Sequence, residues 1–297
     1  MNHQRYRGTI ALLSTIVGIF SACALVIADQ MAPSLLPHSD LSLDLSRYKL
    51  RSVYESDFNE PQKIVCEEDL IERMPSGEWH RVRQPPADAE WIAEGWGGCA
   101  VRKGKLWVAP SEFDATGRPK PVDANHRSHM VVWNRRVFPA DFLLEFEANP
   151  CGSTNGLTIV FFCASGKNGE DMFDLASPPR RGDYKAYHSG ALANYSDAYW
   201  SRNNETEAAS NRLRKNPGFI PVAFGESLTT GRTDATHSIR ILKFHGHIEV
   251  EVDRKVVLAW DDSVSPLGAG RIGLRSMEGV TSVAYDKFKV WEIGGLQ

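Results

Sequence analysis

The sequence lacks most of the short motifs that mark common catalytic and cofactor-binding folds. Its 297 residues contain no P-loop, no dinucleotide-binding glycine fingerprint and no GxSxG nucleophile motif. The five cysteines form no CxxC pair and no Cys/His ligand spacing, which argues against a zinc site. A net charge of −3 provides no basic domain, so we expect no nucleic-acid partner. Internal repeats are absent and long helical patterns nearly so, which disfavours helical bundles and solenoids.

The N-terminus instead carries an export pattern. Arg5 and Arg7 precede an uncharged run over residues 8–27, which is typical of a signal peptide or a retained anchor. Cys23 follows a sequence close to a lipobox, so lipidation is an alternative. We predict a periplasmic, cell-surface or extracellular protein that meets the membrane only through this anchor. Residues 1–28 form the leader, residues 29–57 a linker that can include a first strand, and residues 58–297 one domain.

Export permits disulfides, and four cysteines remain after the leader. They allow three complete pairings, which sequence does not rank, and free buried thiols remain the alternative. These cysteines are Cys66, Cys99, Cys151 and Cys163.

Apolar and polar residues alternate along most of the remaining chain, which predicts an antiparallel sandwich or barrel. Residues 97–110 read as a hairpin around Lys103 and Gly104, and residues 129–150 as two strands broken at Phe138. The continuous apolar run over residues 157–164 predicts a central strand that is covered on both faces. Further strands are expected at residues 220–224, 238–244, 248–252, 256–260, 272–275 and 283–293.

Residues 166–217 depart from this pattern, because they show no convincing strand and few aliphatic residues. A loop of this length is uncommon in a compact domain and is usually functional. It holds four of the eight tyrosines, and residues 178–215 carry seven Lys/Arg against four Asp/Glu. We interpret the segment as a basic, aromatic binding surface with a short helix at residues 205–215. The alternative is a structural cover over one end of the sandwich.

An ordered set of motifs in and around this segment resembles the YesU-like domain of unknown function. The resemblance spans residues 90–293 and rests on Phe161-Phe162-x-Ala164-x-Gly166-x-x-Gly169-Glu170-Asp171-x-Phe173-Asp174, Tyr187-His188-Ser189-Gly190, Leu213-Arg214-Lys215 with Gly218-Phe219, Gly270-x-Ile272-Gly273-x-Arg275-x-Met277, and His129 with Trp133. It implies an all-β fold, a concanavalin-A-like jelly-roll β-sandwich of two antiparallel sheets with a long functional loop insertion. Members are similar to proteins associated with bacterial pectin and rhamnogalacturonan breakdown.

Two glycan-cleaving chemistries fit these residues. Hydrolysis needs two carboxylates across the scissile bond, for which Glu170 and Asp171 are candidates. The same acidic turn could instead hold a structural calcium ion or accept backbone N–H bonds, and no other cofactor or metal is expected. Elimination at a uronate needs a proton-accepting Tyr or His and a cation beside the carboxylate. Tyr187 and His188 supply the first.

The cationic and aromatic residues complete the predicted site. Trp133, Tyr195 and Trp200 are expected to stack on sugar rings. Arg275 could hold an anionic ligand or pair with Glu147. The predicted substrate-binding set is Trp133, Tyr195, Trp200, Arg212, Arg214, Lys215 and Arg275.

The sequence therefore predicts an exported carbohydrate-active protein. We expect its ligand to be an acidic, uronate-containing oligo- or polysaccharide of plant or algal type, which a hydrolase or a lyase would cleave. The alternative function is a non-catalytic, lectin-like glycan-binding module.

Overall fold

Strands dominate the residues that the computed structural model describes, which are 41–120, 129–153, 156–202, 210–226, 233–277 and 280–297. All of them fall within one unit, residues 32–297. The predicted leader lies outside the described residues. The strands are β1 (Tyr48–Ser56), β2 (Ile64–Cys66), β3 (Ile71–Arg73), β4 (Trp79–Arg81), β5 (Trp91–Gly95), β6 (Gly98–Arg102), β7 (Lys105–Ala109), β8 (Met130–Asn134), β9 (Phe142–Asn149), β10 (Gly156–Gly166), β11 (Leu192–Arg202), β12 (Ser210–Asn216), β13 (Ile220–Glu226), β14 (His237–Phe244), β15 (His247–Val252), β16 (Lys255–Asp261), β17 (Arg271–Ser276) and β18 (Val283–Leu296).

The helices among the described residues are short. Two 3₁₀ turns span Leu45–Arg47 and Glu67–Leu70, and one α-helix, α1, spans Tyr184–His188. No helix of the described residues is long and apolar enough to cross a membrane.

Two large sheets form the sandwich. Sheet 1 has the order β16-β15-β14-β9-β18-β7-β6, and β1 pairs with β18 as well. Sheet 2 has the order β13-β12-β11-β10-β17-β8-β5-β2, and its pairs are antiparallel except for β2 with β5. A separate ribbon joins β3 to β4. The predicted hairpin at residues 97–110 is confirmed as β6 and β7. The predicted central strand is also confirmed, because β10 has three strands of sheet 2 on one side and four on the other.

Period-2 alternation sends one set of side chains from sheet 2 into the sandwich and the other set outward. Val160 and Phe162 of β10 enter the main core with Ile239 and Ile241 of β14. Phe161 points the other way and joins a second apolar cluster on the outer face of sheet 2. Residues 167–191, which we call the cover segment, supply Met172, Phe173 and Tyr187 to that second cluster. Sheet 2 is therefore apolar on both faces where this segment covers it.

The predicted loop over residues 166–217 is wrong in its second half, because β11 and β12 lie there. The strand β11 escapes recognition because its outward residues Ser196 and Ala198 are small and packed, while its inward residues include Asp197. Alternation between apolar and polar residues is lost when both faces are buried. The predicted helix at residues 205–215 is also wrong from residue 210 onward, and residues 203–209 lie outside the described residues.

The four cysteines of the described residues are free thiols in this structure. Burial raises the pKa of the Cys163 thiol to about 12. Cys163 therefore behaves as a small apolar residue within the main core.

Candidate functional site

A buried carboxylate, Glu94 of β5, fastens the cover segment to the outer face of sheet 2. Its Oε2 accepts hydrogen bonds from Trp133 Nε1 at 2.9 Å, Tyr187 Oη at 2.9 Å and Arg180 Nε at 3.0 Å. Arg180 Nη2 also forms an ion pair with Glu94 Oε1, and Arg180 Nη1 donates to the carbonyl of Met172 at 3.0 Å. Burial alone would raise the pKa of this carboxyl, but the charge of Arg180 and the hydrogen bonds that it accepts hold that pKa below the usual range, so it stays ionised.

A second buried carboxylate extends this network. Glu67 accepts from Arg81 Nη2 at 2.7 Å and from the backbone N–H groups of Arg180 and Arg181 at 3.2 and 2.7 Å. Burial and repulsion from Glu94 raise the pKa of Glu67 to about 7. We call Glu67, Arg81, Glu94, Arg180 and Tyr187 the anchor network.

Tyr187 belongs to this anchor network, and the prediction of a catalytic Tyr187 is corrected on that ground. Its ring is 1% exposed and stacks against Trp133 and Phe161. Its hydroxyl donates to Glu94 and accepts from Gly182 N at 3.1 Å. Burial raises its pKa well above the usual value. The Tyr187 hydroxyl is already engaged with two partners inside the protein, so it is not available to accept a substrate proton.

Glycine lets the cover segment approach the sheet at Gly182. This residue has φ of +73°, and a Cβ there would lie 2.8 Å from both Gly95 Cα and the His129 carbonyl. Only glycine combines that left-handed backbone with so close a contact. The approach brings the Gly182 carbonyl to 3.1 Å from Arg275 Nη2.

The helix α1 presents Tyr184 and His188 one turn apart on the same side of the helix. Asp183 caps the helix by accepting from Lys185 N at 3.1 Å. The ring centroids of Tyr184 and His188 are 4.4 Å apart, and that of Phe219 lies 4.2 Å from His188. His188 Nδ1 is 2.5 Å from Ser189 Oγ. All three rings are half-buried, so each keeps part of its surface in contact with solvent.

Arg275 of β17 lies beneath these rings and is completely buried. Its guanidinium carbon is 5.0 Å from the Tyr184 ring centroid and 4.7 Å from that of Tyr187. Its Nη2 donates to Gly182 O and to His129 Nδ1, which is 2.8 Å away. Nε and Nη1 have no hydrogen-bond partner among the described residues. The burial of this charge lowers the Arg275 pKa to about 10.

The contact with Arg275 fixes the state of His129. A guanidinium only donates hydrogen bonds, so His129 Nδ1 has to accept. His129 is therefore a neutral imidazole protonated at Nε2. The hypothesis of an ion pair between Arg275 and Glu147 is corrected, because Glu147 pairs with Lys287 at 2.7 Å.

Two further arginines project from β12 toward α1. The guanidinium carbon of Arg214 lies 4.3 Å from the Phe219 ring centroid. Burial raises the pKa of Tyr184, and the charges of Arg214, Arg275 and Arg212 oppose that rise. Burial lowers the pKa of His188, and Arg275 and Arg214 lower it further. His188 is therefore neutral at neutral pH. We call Tyr184, His188, Arg212, Arg214, Phe219 and Arg275 the arginine cluster.

Glu170 and Asp171 lie outside this cluster. Asp171 pairs with Arg271 at 2.9 Å and accepts from Phe173 N at 2.9 Å. Arg271 is four residues from Arg275 along β17, which places their Cα atoms about 13 Å apart. Glu170 folds back over Gly166 and accepts from Asn168 N at 2.8 Å. The acidic turn is thus held by backbone N–H bonds, and the described residues contain no group of three or more His, Cys, Asp or Glu that could hold a metal.

The aromatic residues predicted to stack on sugars are buried in protein. Trp133 lies under the cover segment, and Tyr195 and Trp200 lie in the main core. These ring faces already contact other side chains, so the stacking prediction is corrected for all three. Lys215 is corrected as well, because it forms an ion pair with Asp262 at 2.5 Å, which also accepts from Tyr195 Oη at 2.6 Å.

Of the predicted site residues, the structure thus brings His188, Arg212, Arg214 and Arg275 together, and it adds Tyr184 and Phe219. The spacing of Tyr184 four residues before His188 could have identified it, but a helix of five residues leaves almost no periodic pattern. Phe219 is part of a quoted motif, yet only its contacts with His188 and Arg214 reveal its place.

Comparison with known proteins agrees with this architecture. The profile of the family described as "Domain of unknown function (DUF1961)" matches residues 80–290. "Uncharacterized protein YesU" of Bacillus subtilis (strain 168) is 30% identical over 167 residues, which are 54% of this chain and 76% of that protein. A crystal structure described as a protein of unknown function with galectin-like fold, also from Bacillus subtilis, is 24% identical with a TM-score of 0.64, covering 83% of this chain and 99% of that one. The predicted resemblance and the predicted jelly-roll sandwich are both confirmed.

Proposed function

This chain belongs to the DUF1961 family of domains of unknown function, and we propose that it is a carbohydrate-binding protein that takes an acidic glycan at the arginine cluster. The observation that carries the proposal is the environment of Arg275. This guanidinium is fully buried, forms no ion pair with a carboxylate of the described residues and leaves two nitrogens unbonded within them. A buried charge of this kind is costly unless an anion neutralises it.

The surroundings of Arg275 favour a sugar acid as that anion. The half-buried rings of Tyr184 and Phe219 offer the apolar surface that the C–H face of a pyranose contacts, while arginines match the geometry of a carboxylate. Because Tyr187 is held by the anchor network, the proposed ligand would approach Arg275 from the side of Tyr184. The galectin-like fold of the similar structure also supports sugar binding, by analogy of fold alone.

The proposal includes action outside the cytoplasm, which the basic and apolar pattern of residues 5–27 supports. Fractionation of a native host tests this part: recovery of the intact chain in the soluble cytoplasm would contradict it.

A binding titration tests the ligand class. Polygalacturonate, alginate and hyaluronan are compared with neutral galactan at low and high salt. We expect binding to at least one polyuronide that weakens with salt, because a carboxylate–arginine contact at a partly exposed site is screened. Equal affinity for galactan, or no affinity for any polyuronide, would overturn the proposal.

A further inference from the structure

The arginine cluster contains the groups that β-elimination at a uronate requires. The reaction removes the proton on C5, which is bonded directly to the carboxylate carbon. The proton acceptor therefore has to lie beside the cations that hold the carboxylate. His188 satisfies this condition, because its ring shares the Tyr184 and Phe219 neighbours of Arg275 and Arg214.

The His188 ring is suited to accept that proton. In the tautomer whose Nδ1 donates to Ser189 Oγ, 2.5 Å away, Nε2 carries the lone pair. Nε2 is buried and has no hydrogen-bond partner among the described residues. Burial, together with the positive charges of Arg275 and Arg214, holds the pKa of His188 below its usual value, so the imidazole is neutral and able to act as a base.

Tyr184 provides the second proton-transfer group. Its ring lies 4.4 Å from that of His188 and 5.0 Å from the guanidinium carbon of Arg275. Unlike Tyr187, it is half-buried and outside the anchor network. Burial raises its pKa, so the phenol carries a proton that it can give to a leaving oxygen.

Hydrolysis by a carboxylate pair fits the same place poorly. That reaction needs two carboxyl groups facing each other across the bond. Asp171 is engaged by Arg271, Glu170 accepts from Asn168 N, and Asp183 caps α1. Among the described residues, the arginine cluster therefore holds bases and cations but no acidic pair.

We infer that the arginine cluster catalyses β-elimination at a 4-linked uronate, with His188 as the base, Tyr184 as the acid, and Arg214 and Arg275 holding the carboxylate. The inference rests on the proposed function, since it takes the same ligand at the same site. The C5–H bond breaks and its proton goes to His188 Nε2. The electron pair forms the C4–C5 double bond, the C4–O4 bond breaks, and O4 leaves with the proton of Tyr184. His188 then releases its proton to water and Tyr184 regains one, so no oxidant, reductant or hydrolytic water is consumed.

Two measurements on the same samples test the inference. The full chain is incubated with polygalacturonate, alginate and hyaluronan, and the ultraviolet absorbance of the unsaturated product is followed. Affinity for each polymer is measured separately. We expect unsaturated product from at least one polymer. His188→Gln and Tyr184→Phe should each lower the rate by a factor on the order of 10² or more, with affinity changed by less than about threefold.

His245→Gln is the matched control, because His245 is an exposed histidine in the turn between β14 and β15 that pairs with Asp141. It should leave both rate and affinity unchanged. Thermal unfolding of each variant establishes that it is folded. Tyr184→Phe removes a single oxygen and keeps the test decisive if His188→Gln does not fold.

The outcomes separate the two proposals. Affinity without unsaturated product overturns the elimination and leaves the proposed function in place. New reducing ends without ultraviolet absorbance indicate hydrolysis and overturn the elimination as well. Unsaturated product that persists at full rate in both variants overturns the assignment of His188 and Tyr184. No affinity for any of the three polymers overturns the proposed function, and the inference with it.

Discussion

Glu94 and Arg275 are two buried charges on the same face of sheet 2, and their surroundings differ sharply. Both pair with Val131, one on each side of β8, which places their Cα atoms about 10 Å apart. Glu94 has an arginine, a tyrosine hydroxyl and an indole N–H as partners. Arg275 has a carbonyl and a neutral imidazole, and two of its nitrogens have no partner among the described residues.

The difference separates structure from function. A buried polar network whose members are paired fixes a geometry, here the position of the cover segment. A buried charge without a counter-charge destabilises the fold, and such a cost is commonly found at functional sites. We therefore assign a structural role to the anchor network, which holds the cover segment against sheet 2. We assign ligand binding to the arginine cluster.

The largest effect is expected for Glu94→Gln. This substitution leaves Arg180 charged and buried without its partner, so the free energy of unfolding should fall by about 3–5 kcal/mol. Urea denaturation measures it. The matched control is Glu68→Gln, since Glu68 contacts Arg181 in a partly exposed pair at 3.2 Å and should contribute less than about 1 kcal/mol. Similar losses in the two variants would show that the anchor network is not what holds the cover segment.

Arg275→Met should have the opposite profile. Affinity for the polyuronide that binds the wild-type protein should fall by about tenfold or more, because a charge-assisted contact is lost. The free energy of unfolding should stay within about 1 kcal/mol or rise, since an uncompensated buried charge is replaced by an apolar side chain of similar length. Arg51→Met, at an exposed pair with Glu292, is the control and should leave both quantities nearly unchanged. Strong destabilisation without loss of affinity would show that Arg275 has a structural role, like the anchor network.

Sequence reasoning identified the strands and the cations of the site for physical reasons. Alternation predicts β14 to β18 because one face of those strands is covered by the sandwich and the other is polar. Arg212 and Arg214 stand out because positive charge concentrates over residues 178–215 of an otherwise acidic chain. Arg275 and His188 stand out because they lie in family-like motifs.

The predicted roles of the aromatic and acidic residues are wrong because the sequence does not show which strands are covered on both faces. Trp133 and Trp200 look alike in sequence whether they stack on a sugar or on protein. Glu170 and Asp171 look like a catalytic pair, yet their partners are a backbone N–H and Arg271, which both lie outside the arginine cluster. Glu94 belongs to no sequence motif, and only its contacts with Arg180, Tyr187 and Trp133 reveal its place.

Two tyrosines three residues apart test the same comparison between the anchor network and the arginine cluster, with smaller expected losses of stability. Tyr187→Phe removes a hydrogen bond to the charged Glu94 and one from Gly182 N, so the free energy of unfolding should fall by about 2 kcal/mol. Affinity for a polyuronide should change little. Tyr184→Phe should change stability by less than about 0.5 kcal/mol while it lowers the proposed elimination rate. Urea denaturation and elimination rates of the two variants check this prediction. A rate loss confined to Tyr187→Phe would reverse the two roles.

The smallest expected effect concerns a carboxyl group without the partners that Glu94 has. Asp197 of β11 is opposite Val160 and Leu213, so it faces the main core, and it is fully buried. Burial raises its pKa well above the usual value.

In the unfolded chain the Asp197 carboxyl loses its proton near pH 4, so above that pH the unfolded state binds fewer protons and stability falls as pH rises. Asp197→Asn removes this titration and keeps the shape. It should therefore stabilise the protein by on the order of 1 kcal/mol at neutral pH, and the gain should vanish below about pH 4. Urea midpoints of the variant and the wild type, measured across that range, check the trend. The opposite trend would be a variant that loses stability relative to the wild type as the pH rises to neutral. That result would mean that Asp197 is ionised and paired like Glu94.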